Sequence, residues 1–186
     1  IDVKFNRNLI QKFINFSKKI KNFSVLIPNH GNFKKNNKIK KNYIGEAAVM
    51  FFNLKNLRKI NFFDENFFLY YEEVDLLFRC KQSNFPTYLI PNLKIKHERA
   101  KSTINSKNIK NLRSWHYMWS MFYFYKKNYD FFTALNKTFK FLIKDSLMLI
   151  FFIISLNFKK SPNRFYRLYG LISSILGLKS FLRKEN

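Results

Sequence analysis

The 186-residue chain carries 35 Lys and Arg against 11 Asp and Glu, a formal net charge of +24 at pH 7. With 47% hydrophobic residues it can build a packed core, which excludes wholesale disorder. A single cysteine, Cys80, excludes an intrachain disulfide and reads as a small packing residue.

Leu9, Ile10, Phe13, Ile14 and Ile20 predict a helix over 7–20, and Phe23 to Ile27, closed by Pro28, predicts a strand. Residues 29–43, rich in Asn and Lys, read as an exposed loop. Tyr43 to Phe52 predicts a second strand, containing Gly45-Glu46-Ala47-Ala48. A short helix is expected at 54–60, an aromatic and acidic loop at 61–71, and a helix at 72–84 with Val74, Leu77 and Phe78 inward. Two strands, 87–90 and 93–97, are expected on either side of Pro91-Asn92. Strands alternating with helices predict an α/β layer over residues 1–105.

From 106 to 186 the pattern is helical, basic and aromatic. Helices are expected at 108–128, with Trp115, Tyr117, Trp119, Phe122, Tyr123, Phe124 and Tyr125, then at 131–157 and 168–181. The apolar run from Leu147 to Leu156 is too short to span a bilayer, which needs ~20 residues, and Lys140, Lys144 and Asp145 interrupt it upstream. Interleaved rings and lysines suit the surface of an anionic membrane, or else pack on the rest of the protein.

The charge itself has two readings. It points to nucleic acid or an anionic membrane. Lys also far outnumbers Arg, and Asn, Ile and Phe are in excess, the set that an AT-rich coding sequence places on solvated faces. Few arginines and no recognisable nucleic-acid motif speak against nucleic acid.

Five of the 11 acidic residues fall between 64 and 75: Asp64, Glu65, Glu72, Glu73 and Asp75. Carboxylates opening a helix complement its macrodipole, and Asp75 and Arg79 stand in the favourable i,i+4 order. A pair such as Glu72 and Glu73 in a partly buried place also suits general-base chemistry, because mutual repulsion raises the proton affinity of one member. On the helical wheel Glu73 neighbours Val74 and Leu77, which favours it as the inward member.

The segment Phe63-Asp64-Glu65-Asn66-Phe67-Phe68-Leu69-Tyr70-Tyr71-Glu72-Glu73-Val74-Asp75-Leu76-Leu77-Phe78-Arg79, preceded by Gly45-Glu46-Ala47-Ala48-Val49-Met50 and followed by Ile90-Pro91 and His97, resembles family 2 glycosyltransferases of the GT-A type, in the rhamnosyltransferase-like group. The resemblance covers about residues 1–130 and is most specific in its middle segment. It implies a partial GT-A fold lacking its first strands, with a helical, membrane-associating tail. Asn111 to Lys127 and Gly170 to Arg183 are similar to the family's closing helices.

The activity implied is inverting transfer of a sugar from a nucleotide diphosphate sugar to a glycan or lipid-linked saccharide in cell-surface polysaccharide synthesis. Glu73 falls on the family's base, beside Glu72, with Glu where the family has Asp. Asp64, Phe67, Phe68, Tyr70 and Tyr71 would meet the acceptor, the rings as an apolar wall. Asp2 matches the last acid of the family's metal motif, and with His97 would hold a divalent cation, Mg²⁺ or Mn²⁺. Glu46 departs from the small residue that the family prefers there. The first residues, Ile1-Asp2-Val3-Lys4, begin without Met, so the chain reads as a fragment lacking its nucleotide-binding half and inactive alone. The implied place is cytoplasmic, peripheral to the inner face of the cell membrane. The competing expectation is a non-catalytic basic protein that binds membrane or nucleic acid.

Overall fold

The computed structural model describes residues 3–4, 7–20, 22–30, 38–45, 47–97, 107–157 and 161–183, with backbone alone at 3, 4, 97 and 161. These residues form a mixed α/β structure with a four-stranded mixed sheet and six helices. The chain divides into two compact units. A sheet unit comprises Ile1–Asp64 and Glu73–Thr103, and a helical unit comprises Glu65–Glu72 and Ile104–Asn186.

In chain order the sheet unit runs β1 (Val3–Lys4), α1 (Leu9–Lys19), β2 (Val25–Asn29), β3 (Lys40–Lys41), β4 (Phe51–Phe52), α2 (Leu54–Arg58), α3 (Glu72–Gln82), β5 (Thr87–Lys94) and β6 (Lys96–His97). The sheet order is β3-β5-β2-β4, with β2 and β5 parallel and both outer pairings antiparallel. β1 and β6 form a separate antiparallel pair, with Val3 opposite His97.

Side-chain alternation splits this unit's core in two. Val25, Ile27 and Leu89 pack with Leu57 of α2 and with Leu76, Leu77 and Cys80 of α3. Leu26, Ile90 and Leu93 pack with Leu9 and Phe13 of α1. With helices on both faces, every residue of β2 is buried, including Pro28 and Asn29. Cys80 is a free, fully buried thiol in this core, as its surroundings in the sequence suggest.

Three elements differ from the sequence expectation. Only Phe51–Phe52 of the expected strand 43–52 pairs in the sheet. Asn42 turns the chain at φ 55° before it, and the Gly and Ala that follow have little preference for a strand. Glu46 lies outside the described residues.

The expected break at Pro91-Asn92 is instead a bulge inside one strand, β5. The register jumps from Pro28–Ile90 to Asn29–Lys94, Asn29 Nδ2 donates to Pro91 O at 3.3 Å, and Ile95 N–H donates to Asn29 O at 3.0 Å.

The third difference is in the helical unit, which contains α4 (Lys107–Asn128), α5 (Phe131–Ile154) and α6 (Ser161–Ile175). The last helix starts well before the expected 168 and ends before 181. Pro162 is tolerated in a first helical turn, where its missing N–H costs nothing. Gly177, at φ +76°, closes α6 in a Schellman arrangement: its N–H donates to Ser174 O, and Leu178 N–H donates to Ser173 O at 2.9 Å.

α5 begins at the capping residue Asp130, whose carboxylate accepts from Thr133 N–H at 2.8 Å and from Thr133 Oγ1 at 2.5 Å. The unit's apolar centre is Met118 and Phe122 of α4, Ala134 of α5 and Leu171 of α6. Gly170 lets α6 approach α4 so closely that a Cβ there would land on the Trp115 carbonyl oxygen. Asp145 of α5 is buried and is held by Arg164 at 2.5 Å and Arg167 at 2.6 Å, both from α6. Trp115, Trp119, Phe122 and Phe124 of α4 are buried, so these rings pack inside the protein. Among the described residues no helix is long and apolar enough to cross a membrane.

Candidate active site

The acidic segment divides between the two units. Asp64 and Glu73 belong to the sheet unit, whereas Phe67, Phe68, Tyr70, Tyr71 and Glu72 belong to the helical unit.

In the sheet unit, Asp75 is fully buried and accepts from Arg79 Nε at 2.7 Å. Arg79 also donates to Ile60 O and, at 2.5 Å, to Phe62 O. The ion pair expected from the i,i+4 spacing therefore fixes more than α3. It also holds the turn at Asn61 and Phe62, whose φ values of 57° and 47° are left-handed. Asp64 follows this turn half-buried. Glu73, one position into α3, is half-buried too, and its Oε2 is shielded from solvent.

In the helical unit, residues 67–71 lie along α4. Phe67 is 7% exposed, with its ring edge-on to Tyr123 at 5.0 Å. Phe68 is exposed, 4.9 Å from the His116 ring and with the Arg183 guanidinium 3.8 Å above its own face. Ser120 Oγ donates to Leu69 O at 2.9 Å. Tyr70 meets Tyr117 at 5.7 Å, and Tyr71 lies 6.0 Å from Tyr117 and 5.4 Å from Phe124.

Tyr70 and Tyr71 both have left-handed backbones, φ 68° and 69°. Such a conformation costs a bulky residue on the order of 1 kcal/mol or more, and here the ring contacts with α4 offset it. Burial raises the proton affinity of both hydroxyls. For Tyr70 the Arg113 charge opposes the rise, and for Tyr71 the Tyr117 hydroxyl adds to it.

These two strained residues deliver the chain to Glu72. Its carboxyl is half-buried, and Oε2 has no hydrogen-bond partner among the described residues. Burial pushes its pKa above the ordinary glutamate range, against the pull of its own backbone N–H. The Glu72 carboxyl is thus partly desolvated at the start of α3.

His116 anchors the other side of Phe68. Its Nε2 lies 2.8 Å from Leu182 O, which can only accept, so Nε2 carries the proton. Nδ1 of the neutral ring then accepts from Ser180 Oγ at 3.1 Å. Burial lowers the pKa of His116; the bond to Leu182 opposes this, and the Arg183 charge adds to it.

The expected apolar wall is largely occupied by the protein itself. Phe67 is buried and Tyr71 lies among the rings of α4, while Phe68 keeps solvent exposure. Neither member of the expected metal pair has a described side chain. Asp2 lies outside the described residues, and for His97 only the backbone is described. The β1–β6 register does set position 97 across from Val3, the residue that follows Asp2 in the chain. Among the described residues no group of three or more His, Cys, Asp or Glu could hold a metal ion.

A pocket of about 350 Å³ in the helical unit is lined by Trp119, Tyr123, Lys126, Lys127, Ser174 and Lys179, among others. Its lysines come from the end of α4 and from the segment that follows α6, and in a chain this rich in Lys no local signal marks them out. No protein-family model, curated protein or solved structure matches the chain.

Proposed function

We propose that the chain is the acceptor-side part of an inverting GT-A glycosyltransferase, which moves a sugar from a nucleotide diphosphate sugar to a hydroxyl of a glycan or lipid-linked saccharide. The observation that carries this reading is the pair of carboxylates opening α3. Glu72 and Glu73 each have an oxygen shielded from water, on a helix fixed by the Asp75–Arg79 pair and entered through two left-handed tyrosines. Strain and desolvated carboxylates together are typical of catalytic sites.

Glu73 serves as the base. It removes the acceptor hydroxyl proton as that oxygen bonds to the anomeric carbon, and the nucleoside diphosphate departs from the opposite face, which inverts the centre. Glu72, whose carboxyl burial holds toward its neutral form, is the neighbouring member of the pair. Asp2 and His97 would hold a divalent cation, Mg²⁺ or Mn²⁺, which would supply charge compensation for the leaving diphosphate.

The test is transfer of radiolabelled sugar from a panel of nucleotide diphosphate sugars to extracted glycolipids, using the full-length gene product. Glu73→Gln is expected to keep nucleotide binding and lose transfer by about 100-fold or more. Undiminished transfer by that variant removes Glu73 from the base role. Absence of transfer by the unmodified protein with every donor sinks the reading itself.

A further inference from the structure

The helical unit buries a set of polar side chains beside its apolar centre. Its interior includes His116, Ser120, Thr138, Asp145, Ser173 and Ser174, each no more than 4% exposed. Large apolar side chains also face outward. On α5 these are Phe132, Phe139, Ile143, Leu147, Ile150 and Ile154, with Phe132 79% and Ile154 77% exposed. They recur at intervals of seven, four, four, three and four residues, which places them along one side of the helix. Ala134, Thr138, Asp145 and Phe152 line the opposite, buried side.

In water this order leaves large Phe and Ile surfaces unburied, which is unfavourable, while the buried polar groups are mostly hydrogen-bonded within the protein. It is the order expected where the surrounding medium is hydrocarbon and helices meet through small and polar residues. The close approach of Gly170 to the Trp115 backbone fits the same pattern.

The charges choose the occupant of this outer face. Lys137, Lys140 and Lys144 of α5 succeed one another at three- and four-residue spacing and are exposed, Lys140 and Lys144 at the edge of the apolar side and Lys137 with its ammonium 6.0 Å from the Tyr125 ring. A second copy of a chain with net charge +24 would be repelled from them, whereas an anionic bilayer would be attracted. Among the described residues no helix, α5 included, is long and apolar enough to cross a membrane.

We propose that α5 lies in the plane of an anionic lipid bilayer, its Phe132–Ile154 side sunk to the level of the first acyl carbons and its lysines among the lipid phosphates. This placement does not depend on sugar transfer by the protein.

The test is flotation of the 186-residue chain with vesicles of phosphatidylcholine alone and of phosphatidylcholine with 30% phosphatidylglycerol (about one anionic lipid in three). Binding is expected to the anionic vesicles, weaker to neutral ones, and to fall about tenfold or more in Ile150→Glu and Ile154→Glu. A second readout keeps the test independent of how those variants fold. In Phe151→Trp, whose native side chain is 60% exposed, the new indole should be quenched by lipids brominated near the top of the acyl chain. Three results would overturn the proposal: no flotation with either vesicle, equal flotation by the Glu variants with native circular dichroism, or a dimer in sedimentation that Ile150→Glu dissociates while the unmodified chain ignores vesicles.

Discussion

Glu72 shows how one residue couples the fold to the candidate chemistry. Burial raises its folded pKa above the unfolded value. Such a carboxyl contributes stability that is fully present below the ordinary glutamate value and is lost as pH rises through the folded value. Wherever the half-buried group ionises it therefore strains the native state. Glu72→Gln is expected to raise the thermal midpoint at pH 7, with the advantage gone below about pH 4. Thermal unfolding of both proteins across that range checks this, and a constant difference at every pH would assign the effect to packing. The composition of the sequence was enough to single out Glu72 and Glu73, because five acids crowd into twelve positions of a basic chain. What remained hidden was the company of their neighbours. Phe67 and Tyr71 read equally well as rings for a ligand or rings for the core, and only contacts with Tyr123, Tyr117 and Phe124, roughly fifty residues away, decide it.

At the level of elements, periodicity located α1, α3, α4 and α5 closely because their apolar spacing is set within the element. It failed where the decisive partner is distant. β5 passes through Pro91 because the opposing strand shifts register at Pro28 and Asn29, and nothing local to Pro91 announces that. α6 began earlier than expected because Pro162 is a breaker within a helix but not in its first turn.

Two predictions test how α6 is held. Gly170→Ala would place a methyl against the Trp115 carbonyl, which is backbone and cannot rotate away, so a loss of about 2–3 kcal/mol is expected in chemical denaturation. A neutral result would mean that the two helices can separate slightly at little cost. Asp145→Asn would leave Arg164 and Arg167, both mostly buried, without their counter-charge. A loss of about 3 kcal/mol is expected by the same method, and a loss under about 1 kcal/mol would show that the arginines find solvent.

For the whole molecule, net charge dominates. A chain at +24 repels itself, and salt near physiological strength shortens the reach of that repulsion to about 8 Å. The midpoint of thermal unfolding is therefore expected to rise between about 10 and 150 mM sodium chloride. A midpoint that falls would mean that ion pairs such as Asp75–Arg79 outweigh the general repulsion. The charge also bears on partners. Sequence alone left lysine-rich faces open to chance, nucleic acid or membrane, because composition does not say where charges sit relative to apolar surface. The structure sets Lys140 and Lys144 beside an outward apolar side, an association that composition cannot encode.

Cys80 gives the chain a reporter of its own motion. It is the sole cysteine, fully buried between α3 and the sheet, and burial pushes its thiol up to about 11, with Arg79 opposing. Disulfide-exchange reagents attack the thiolate, so the closed protein should be nearly inert at neutral pH and labelling should await an opening of the sheet unit. The helical unit has no thiol and stays silent in such an assay. A single sulfur atom thus times the breathing of the half that carries Glu73, with no foreign probe introduced.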